Sequence, residues 1–187
     1  DKVIEAYQTQ NLAAKNYYNK ILNNCKKVVA IDIGWAGSGA LSLDYLVNKV
    51  WNIPCNIIGM VAGTNTIHNA EPDASEPFLQ SGKLVSYLYS QSHNRDLLKK
   101  HDPNKDYNVF WELLLSSPTP QFKGFYEGNV VRPDSDDIYD KELDITLQFG
   151  KYDANLNGIR EIQRGIMDFV PCPDEYSHMV FPLALTP

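Results

Sequence analysis

A β-branched run that breaks into glycine and then into a helix is the strongest constraint on this fold. Residues 27–33 read Lys-Val-Val-Ala-Ile-Asp-Ile, apolar at both alternations, as a strand buried on both faces of a parallel sheet reads. Gly34 breaks the run, and Ser38 stands as N-cap for a helix over 39–51, with Leu41, Leu43, Leu46, Val47 and Val50 as its packing stripe. Pro54 restarts the chain, and 56–62 is a second apolar strand. A strand–turn–helix–strand unit of this length is a right-handed βαβ crossover, because parallel neighbours need a long connection that packs back on the sheet. The expected fold is therefore α/β, a Rossmann-like three-layer domain with a mostly parallel sheet.

The rest of the chain fits around that unit. Residues 3–24 place Ile4, Tyr7, Ala14, Tyr18, Ile21 and Leu22, with Cys25 just beyond, at three- and four-residue spacing, an amphipathic helix. Residues 63–77 carry the Gly, Asn, Asp, Pro and Thr of a long loop, of the kind that often carries function. A strand, with a helix as the alternative, is expected over 83–90, then a short helix over 94–101 and a strongly apolar helix over 108–116, the last stopped by Pro118 and Pro120. A strand or hairpin arm over 122–131, an acidic loop through Asp140, a strand over 143–149 and a helix over 156–169, capped by Asp153 or Asn155, complete the pattern. The tail after Pro171 is Pro-rich and irregular. No composition shift marks a domain boundary, so all 187 residues read as a single α/β domain. The chain opens at Asp1, with polar helical residues and no signal-peptide core, as one domain of a longer polypeptide would.

Composition excludes several classes. Lys plus Arg number 17 against 23 Asp plus Glu, a net charge of −6, which argues against a nucleic-acid partner because phosphate neutralisation needs cations. No apolar run is long enough for a membrane span. Cys25, Cys55 and Cys172 are odd in number and far apart, without a C-x-x-C pair. They read as reduced thiols of a cytoplasmic protein rather than as a disulfide framework or zinc site. No metal site is read, and no cofactor is assigned. The acidic run Asp134, Asp136, Asp137 and Asp140 lacks the Gly and terminal Glu of a calcium loop and reads as a solvated loop, with a cation site as the alternative.

The chemistry is expected where the first strand meets the helix. Asp32 lies at the carboxyl end of its strand, where open α/β sheets bind ligands. The turn Gly34, Trp35, Gly37, Ser38 and Gly39 sets backbone N–H groups beside a helix start, the arrangement that receives phosphate. The structural alternative is a tight βα turn in which Asp32 caps backbone N–H groups and nothing more. Thr64, Asn65 and His68 follow the second strand, on the same sheet edge, with hydroxyl, amide and imidazole groups suited to a sugar. Glu112, inside Phe110-Trp111-Glu112-Leu113-Leu114, is costly to bury unpaired. It reads either as a general base or ligand-hydroxyl acceptor, or as a residue on the solvated stripe or paired with Arg164. Asp32, Glu112 and His68 are the catalytic candidates.

Two motif comparisons bear on the turn. Asp32-x-Gly34-x-x-Gly37-x-Gly39 is similar to the first motif of S-adenosylmethionine-dependent methyltransferases, but is one residue longer. The acid those enzymes carry at the end of the next strand has no counterpart here. Haloacid-dehalogenase phosphatases require Asp-x-Asp, and this chain has Asp32-Ile33-Gly34.

A wider resemblance rests on four segments in order. They are Val29-Ala30-Ile31-Asp32-Ile33-Gly34-Trp35-Ala36-Gly37-Ser38, then Glu112-Leu113-Leu114-Leu115-Ser116-Ser117-Pro118, then Gly124-Phe125-Tyr126, then Ile162-Gln163-Arg164-Gly165-Ile166 with Phe169. Together they resemble the C-terminal region of predicted haloacid-dehalogenase-superfamily proteins found with glycosyltransferases in bacterial surface-polysaccharide systems. The resemblance covers roughly residues 28–170. It implies a setting of glycan assembly, with a phosphorylated sugar or a nucleotide-like small molecule as ligand. It also implies an upstream phosphatase-like domain or a glycosyltransferase as partner. The alternatives are an atypical methyltransferase and a non-catalytic docking module.

Overall fold

The computed structural model describes residues 2–34, 36–64, 75–90, 93–100, 115, 117, 119–151 and 156–169. Trp35, Asn65, His68, Glu112, the apolar helix expected over 108–116, the expected caps Asp153 and Asn155, and Cys172 lie outside the described residues or run beyond them. The chain divides into two compact units, one of Ala14–Leu113 and one of Asp1–Ala13 with Leu114–Pro187. The protein is mixed α/β with a three-stranded parallel sheet.

The first unit is built on that sheet. Strands β1 (Lys27–Asp32), β2 (Asn56–Gly63) and β3 (Leu84–Tyr89) lie in the order β1-β2-β3. The register runs from Lys27 opposite Asn56 to Asp32 opposite Val61, and Met60 stands opposite both Ile31 and Val85. The expected βαβ unit is present: helix α2 (Ser38–Tyr45) continues as a π-turn (Leu46–Val50) before the chain enters β2. Asn48 Nδ2 donates to the Asp44 carbonyl at 3.1 Å and to the Cys55 carbonyl at 2.9 Å. A side chain taking a backbone acceptor inside a helix competes with the α-ladder, and here the turn widens. The widening seats Val47 and Trp51 in a core with Leu22, Ile53, Cys55 and Ile57.

Helix α1 (Lys2–Ile21) sends Ala14 and Tyr18 into the same core, where Tyr18 stacks on Trp51 with centroids 5.6 Å apart. Burial raises the Cys55 thiol above its ordinary pKa, so that sulfur is packing rather than nucleophile. A polar clamp closes the amino edge of the sheet: Lys83 Nζ reaches Asp44 at 3.0 Å and Asn56 Oδ1 at 2.9 Å. Short helices α3 (Glu76–Gln80) and α4 (Arg95–Lys100) flank β3; α3 begins in the last two residues of the expected loop and runs on through a stretch for which no element was expected.

One expectation about this sheet is corrected. β1 is apolar on both sides, but its burial alternates: Val28 and Ala30 pack inward, while Val29 and Ile31 are about half exposed. α2 and α1 cover one face, and no described element of this unit covers the other.

The second unit holds an antiparallel sheet in the order β4-β6-β5, from β4 (Phe122–Glu127), β5 (Ile138–Asp140) and β6 (Ile145–Phe149). Helix α5 (Leu156–Phe169) follows it. Phe122, Phe125 and Phe149 form an edge-to-face cluster. Thr146 Oγ1 donates to the Gly128 carbonyl at 2.6 Å and accepts from Val130 N–H at 3.0 Å, tying down the chain after β4. β5 was not expected, because its three residues sit inside the acidic stretch.

Candidate functional site

The carboxyl edge of the parallel sheet gathers the described candidates. Asp32 ends β1, and its Oδ1 accepts the Gly34 N–H at 2.6 Å, an Asx-type turn that directs the chain away from the sheet. A Cβ on Gly34 would fall 2.7 Å from that oxygen, so a larger residue there would displace the Asp32 carboxylate from the turn. Gly37 takes the left-handed conformation, φ 68°, and a Cβ there would also lie 2.7 Å from Leu84 Cδ2. Two separate demands thus fix Gly37: the sign of φ, and the close approach of α2 to Val61 and Leu84 beneath it.

Ser38 was expected as the N-cap, and this is corrected. Gly37 occupies the cap and Ser38 is the first helical residue, because the left-handed turn already sits at Gly37. A glycine cap brings no side chain to the first-turn N–H groups, and that turn holds no acidic residue. Ala36, Ser38 and Gly39 are exposed. The start of α2 therefore presents its positive dipole end and its orphan donors outward, with the Asp32 carboxylate beside them, 3.8 Å from where a Gly39 Cβ would stand.

The next two strands end in polar groups. Thr64 follows β2, is fully buried, and hydrogen-bonds through its backbone N–H to the Tyr89 carbonyl at 3.1 Å. Its Oγ1 meets no hydrogen-bond partner among the described residues. An unmade buried hydroxyl bond costs about 1–3 kcal/mol, so this atom marks a place where a polar group is wanted. Gly63 lets the Tyr89 ring close over the strand end, at 2.7 Å from a would-be Cβ. Burial pushes the Tyr89 phenol up, and burial with the nearby Asp32 charge pushes the Tyr87 phenol up. β2 ends at Gly63 without a carboxylate, so a ribose-holding acid of the methyltransferase type is not at that position.

Asp32, Gly34, Gly37, Ser38, Gly39 and Thr64 thus lie on one sheet edge, as expected, while Trp35, Asn65, His68 and Glu112 are outside the described residues. Arg164, considered as a partner for Glu112, pairs with Glu161 at 2.6 Å. Sequence reasoning missed Tyr87. The signal was available in the alternation of 84–89, which puts Tyr87 near the carboxyl end of β3.

The acidic run is also corrected in part. The Asp137 side chain is fully shielded from solvent and binds Arg132 through both carboxylate oxygens at 2.8 Å. It also accepts the N–H groups of Arg132 at 3.1 Å and Phe149 at 2.9 Å. Arg132, through its NH2 group, also donates to the Phe149 carbonyl. Hydrogen bonds from Arg132 hold the Asp137 carboxyl well below the usual carboxylate range. A cleft of about 380 Å³ borders this bracket, lined by Arg132, Asp134, Ser135, Asp136 and Lys151 among others. Because Asp137 already neutralises Arg132, the cleft offers an anion little charge. Among the described residues, no group of three His, Cys, Asp or Glu is placed to hold a metal ion. No described helix is long and apolar enough to cross a membrane.

Comparison with protein-family models, curated proteins and solved structures returned no match to this chain.

Proposed function

We propose that this protein binds a phosphorylated sugar or nucleotide sugar at the carboxyl edge of its parallel sheet, in glycan metabolism. The observation that carries the reading is the exposed, glycine-capped start of α2 directly after the Asp32 turn. The first-turn N–H groups receive the phosphate, and Asp32 accepts from a ligand hydroxyl while holding the turn. Thr64, with the loop that carries Asn65 and His68, contacts the polar portion of the ligand. The resemblance to haloacid-dehalogenase-associated glycan proteins supports the ligand class and, as partner, a phosphatase-like domain or a glycosyltransferase. An acidic chain favours this mode, since backbone donors substitute for the basic cluster it lacks.

A thermal-shift series on the whole chain tests the reading, with a nucleotide sugar, a hexose phosphate, inorganic phosphate and S-adenosylmethionine as probes. At a hundred times Kd, binding stabilises by about 2.7 kcal/mol, or roughly 5–10 °C for a chain of this size. A rise with the phosphorylated sugars that Asp32→Ala abolishes is the expected result. No rise with any probe, or an undiminished rise in Asp32→Ala, overturns the reading, and a rise with S-adenosylmethionine alone replaces it with the methyltransferase. The docking reading has one observation of its own, the open face of the parallel sheet.

A further inference from the structure

The amino end of the parallel sheet brings two thiols together. Ile53, Cys55 and Ile57 alternate with exposed Asn52, Pro54 and Asn56, so Cys55 faces the core and is 1% exposed. On the neighbouring strand Lys27 stands opposite Asn56, and the Asn56 N–H donates to the Lys26 carbonyl at 3.0 Å. Continued backward, the alternation that turns Val28 and Ala30 inward would turn Lys26 inward too. Lys26 is exposed instead, and Cys25 takes the inward place, half-buried against the cluster that holds Cys55. Asn24, with φ 65°, ends α1 in the left-handed turn that makes this switch.

Both thiols are free. Residues on neighbouring parallel strands, one step out of register, have Cα atoms roughly 6 Å apart, inside the range a disulfide spans. The sulfurs are also within electrostatic reach: burial first, then the charges of Cys25 and Asp44, raise the Cys55 thiol. The pair is therefore unequal. Cys55 is shielded and stays protonated, so an oxidant in solution meets Cys25 first.

We propose that Cys25 and Cys55 form a reversible disulfide when the protein meets a hydroperoxide, stapling the start of β1 to the start of β2. In the first step the Cys25 thiolate attacks hydrogen peroxide: an S–O bond forms, the O–O bond breaks, and a sulfenic acid and water result. In the second the Cys55 sulfur displaces the sulfenic oxygen: an S–S bond forms, the S–O bond breaks, and the Cys55 proton leaves with hydroxide as water. Two thiols are oxidised and one peroxide is reduced to two waters. Cys55 needs no reactivity toward solvent for this, because its target is held beside it. The bond closes a loop of roughly 30 residues that contains β1, the Asp32 turn and α2, and a cross-link of that length restrains the unfolded chain.

The test is oxidation of the intact, reduced chain with hydrogen peroxide, followed by alkylation in denaturant and non-reducing peptide mapping. The expected product is a single chain with the Cys25 and Cys55 peptides linked and Cys172 still alkylated. Its thermal midpoint is expected to rise by roughly 5–10 °C and to return on adding a reductant. In Cys55→Ala the reaction should stop at a sulfenic acid on Cys25, trapped by dimedone. Four results overturn the proposal: Cys55 still alkylated after excess peroxide, a link of either residue to Cys172, a link between two chains, or a linked chain whose midpoint does not rise. Should the variant fail to fold, the peptide map of the wild type decides alone.

Discussion

Replacing Ser38 with glutamate moves stability and ligand affinity in opposite directions, which makes it the sharpest single perturbation of the proposed site. Ser38 is the first residue of α2, is exposed, and follows a cap without a side chain. A carboxylate there meets the uncompensated positive end of the helix and stabilises it by about 0.3–1 kcal/mol. The gain falls toward the lower figure, because the Asp32 carboxylate already stands near the same turn. For a phosphate seated on those N–H groups, a new negative charge roughly 6 Å away at an effective dielectric of 20 costs about 3 kcal/mol unscreened. Screening at physiological salt, with a Debye length of about 8 Å, reduces this to about 1.3 kcal/mol, or roughly tenfold in Kd. Urea unfolding followed by circular dichroism reads the first number, and calorimetric titration with a nucleotide sugar reads the second. An unchanged Kd in Ser38→Glu refutes the assignment of the anion to the α2 start.

Three further outcomes follow from the described interactions. Gly37→Val, which must adopt a positive φ and push its side chain into Leu84, is expected to destabilise by about 3–5 kcal/mol in urea titration, and a loss below 1 kcal/mol would show that the turn relaxes freely. Asp137→Ala strands the Phe149 N–H and the Arg132 guanidinium, at about 2–4 kcal/mol, discounted because Arg132 is about half exposed. The same carboxylate sets a pH dependence: its folded pKa is depressed, so its contribution is full above about pH 5 and is lost as pH falls through the ordinary value near 4 and below. The stability gap between wild type and Asp137→Asn should therefore narrow between pH 6 and pH 3, and a gap independent of pH would contradict the bracket.

What could be read from the sequence follows the length scale of each signal. The βαβ unit was legible because strand, glycine turn, helix and second strand are contiguous, and β1 pairs directly with β2 within residues 27–63. The Asp32 turn was legible for the same reason, since Asp32 and Gly34 are two residues apart. The capping role of Gly37 was hidden: Ser38 has the better cap chemistry, but Leu84, from a strand 47 residues further on by the numbering, forces glycine at 37 and shifts the helix start. β5 was hidden because three residues carry no periodicity. Asp137 read as one solvated acid among several, and only the pairing of β5 with β6 brings Phe149 and Arg132 to it. The open sheet face was hidden because an apolar strand reports what it wants covered, and only the fold shows what covers it.

The central claim is that an anionic sugar ligand sits on the start of α2, and a backbone amide titration reads it most directly. With ¹⁵N-labelled protein and a nucleotide sugar, the N–H signals of Gly34, Ser38, Gly39 and Ala40 are expected to shift together and saturate at one Kd. They should return when Ser38→Glu is titrated at the same concentration. Saturable shifts confined to the loop Arg132 to Asp137, or none at all, would contradict the account.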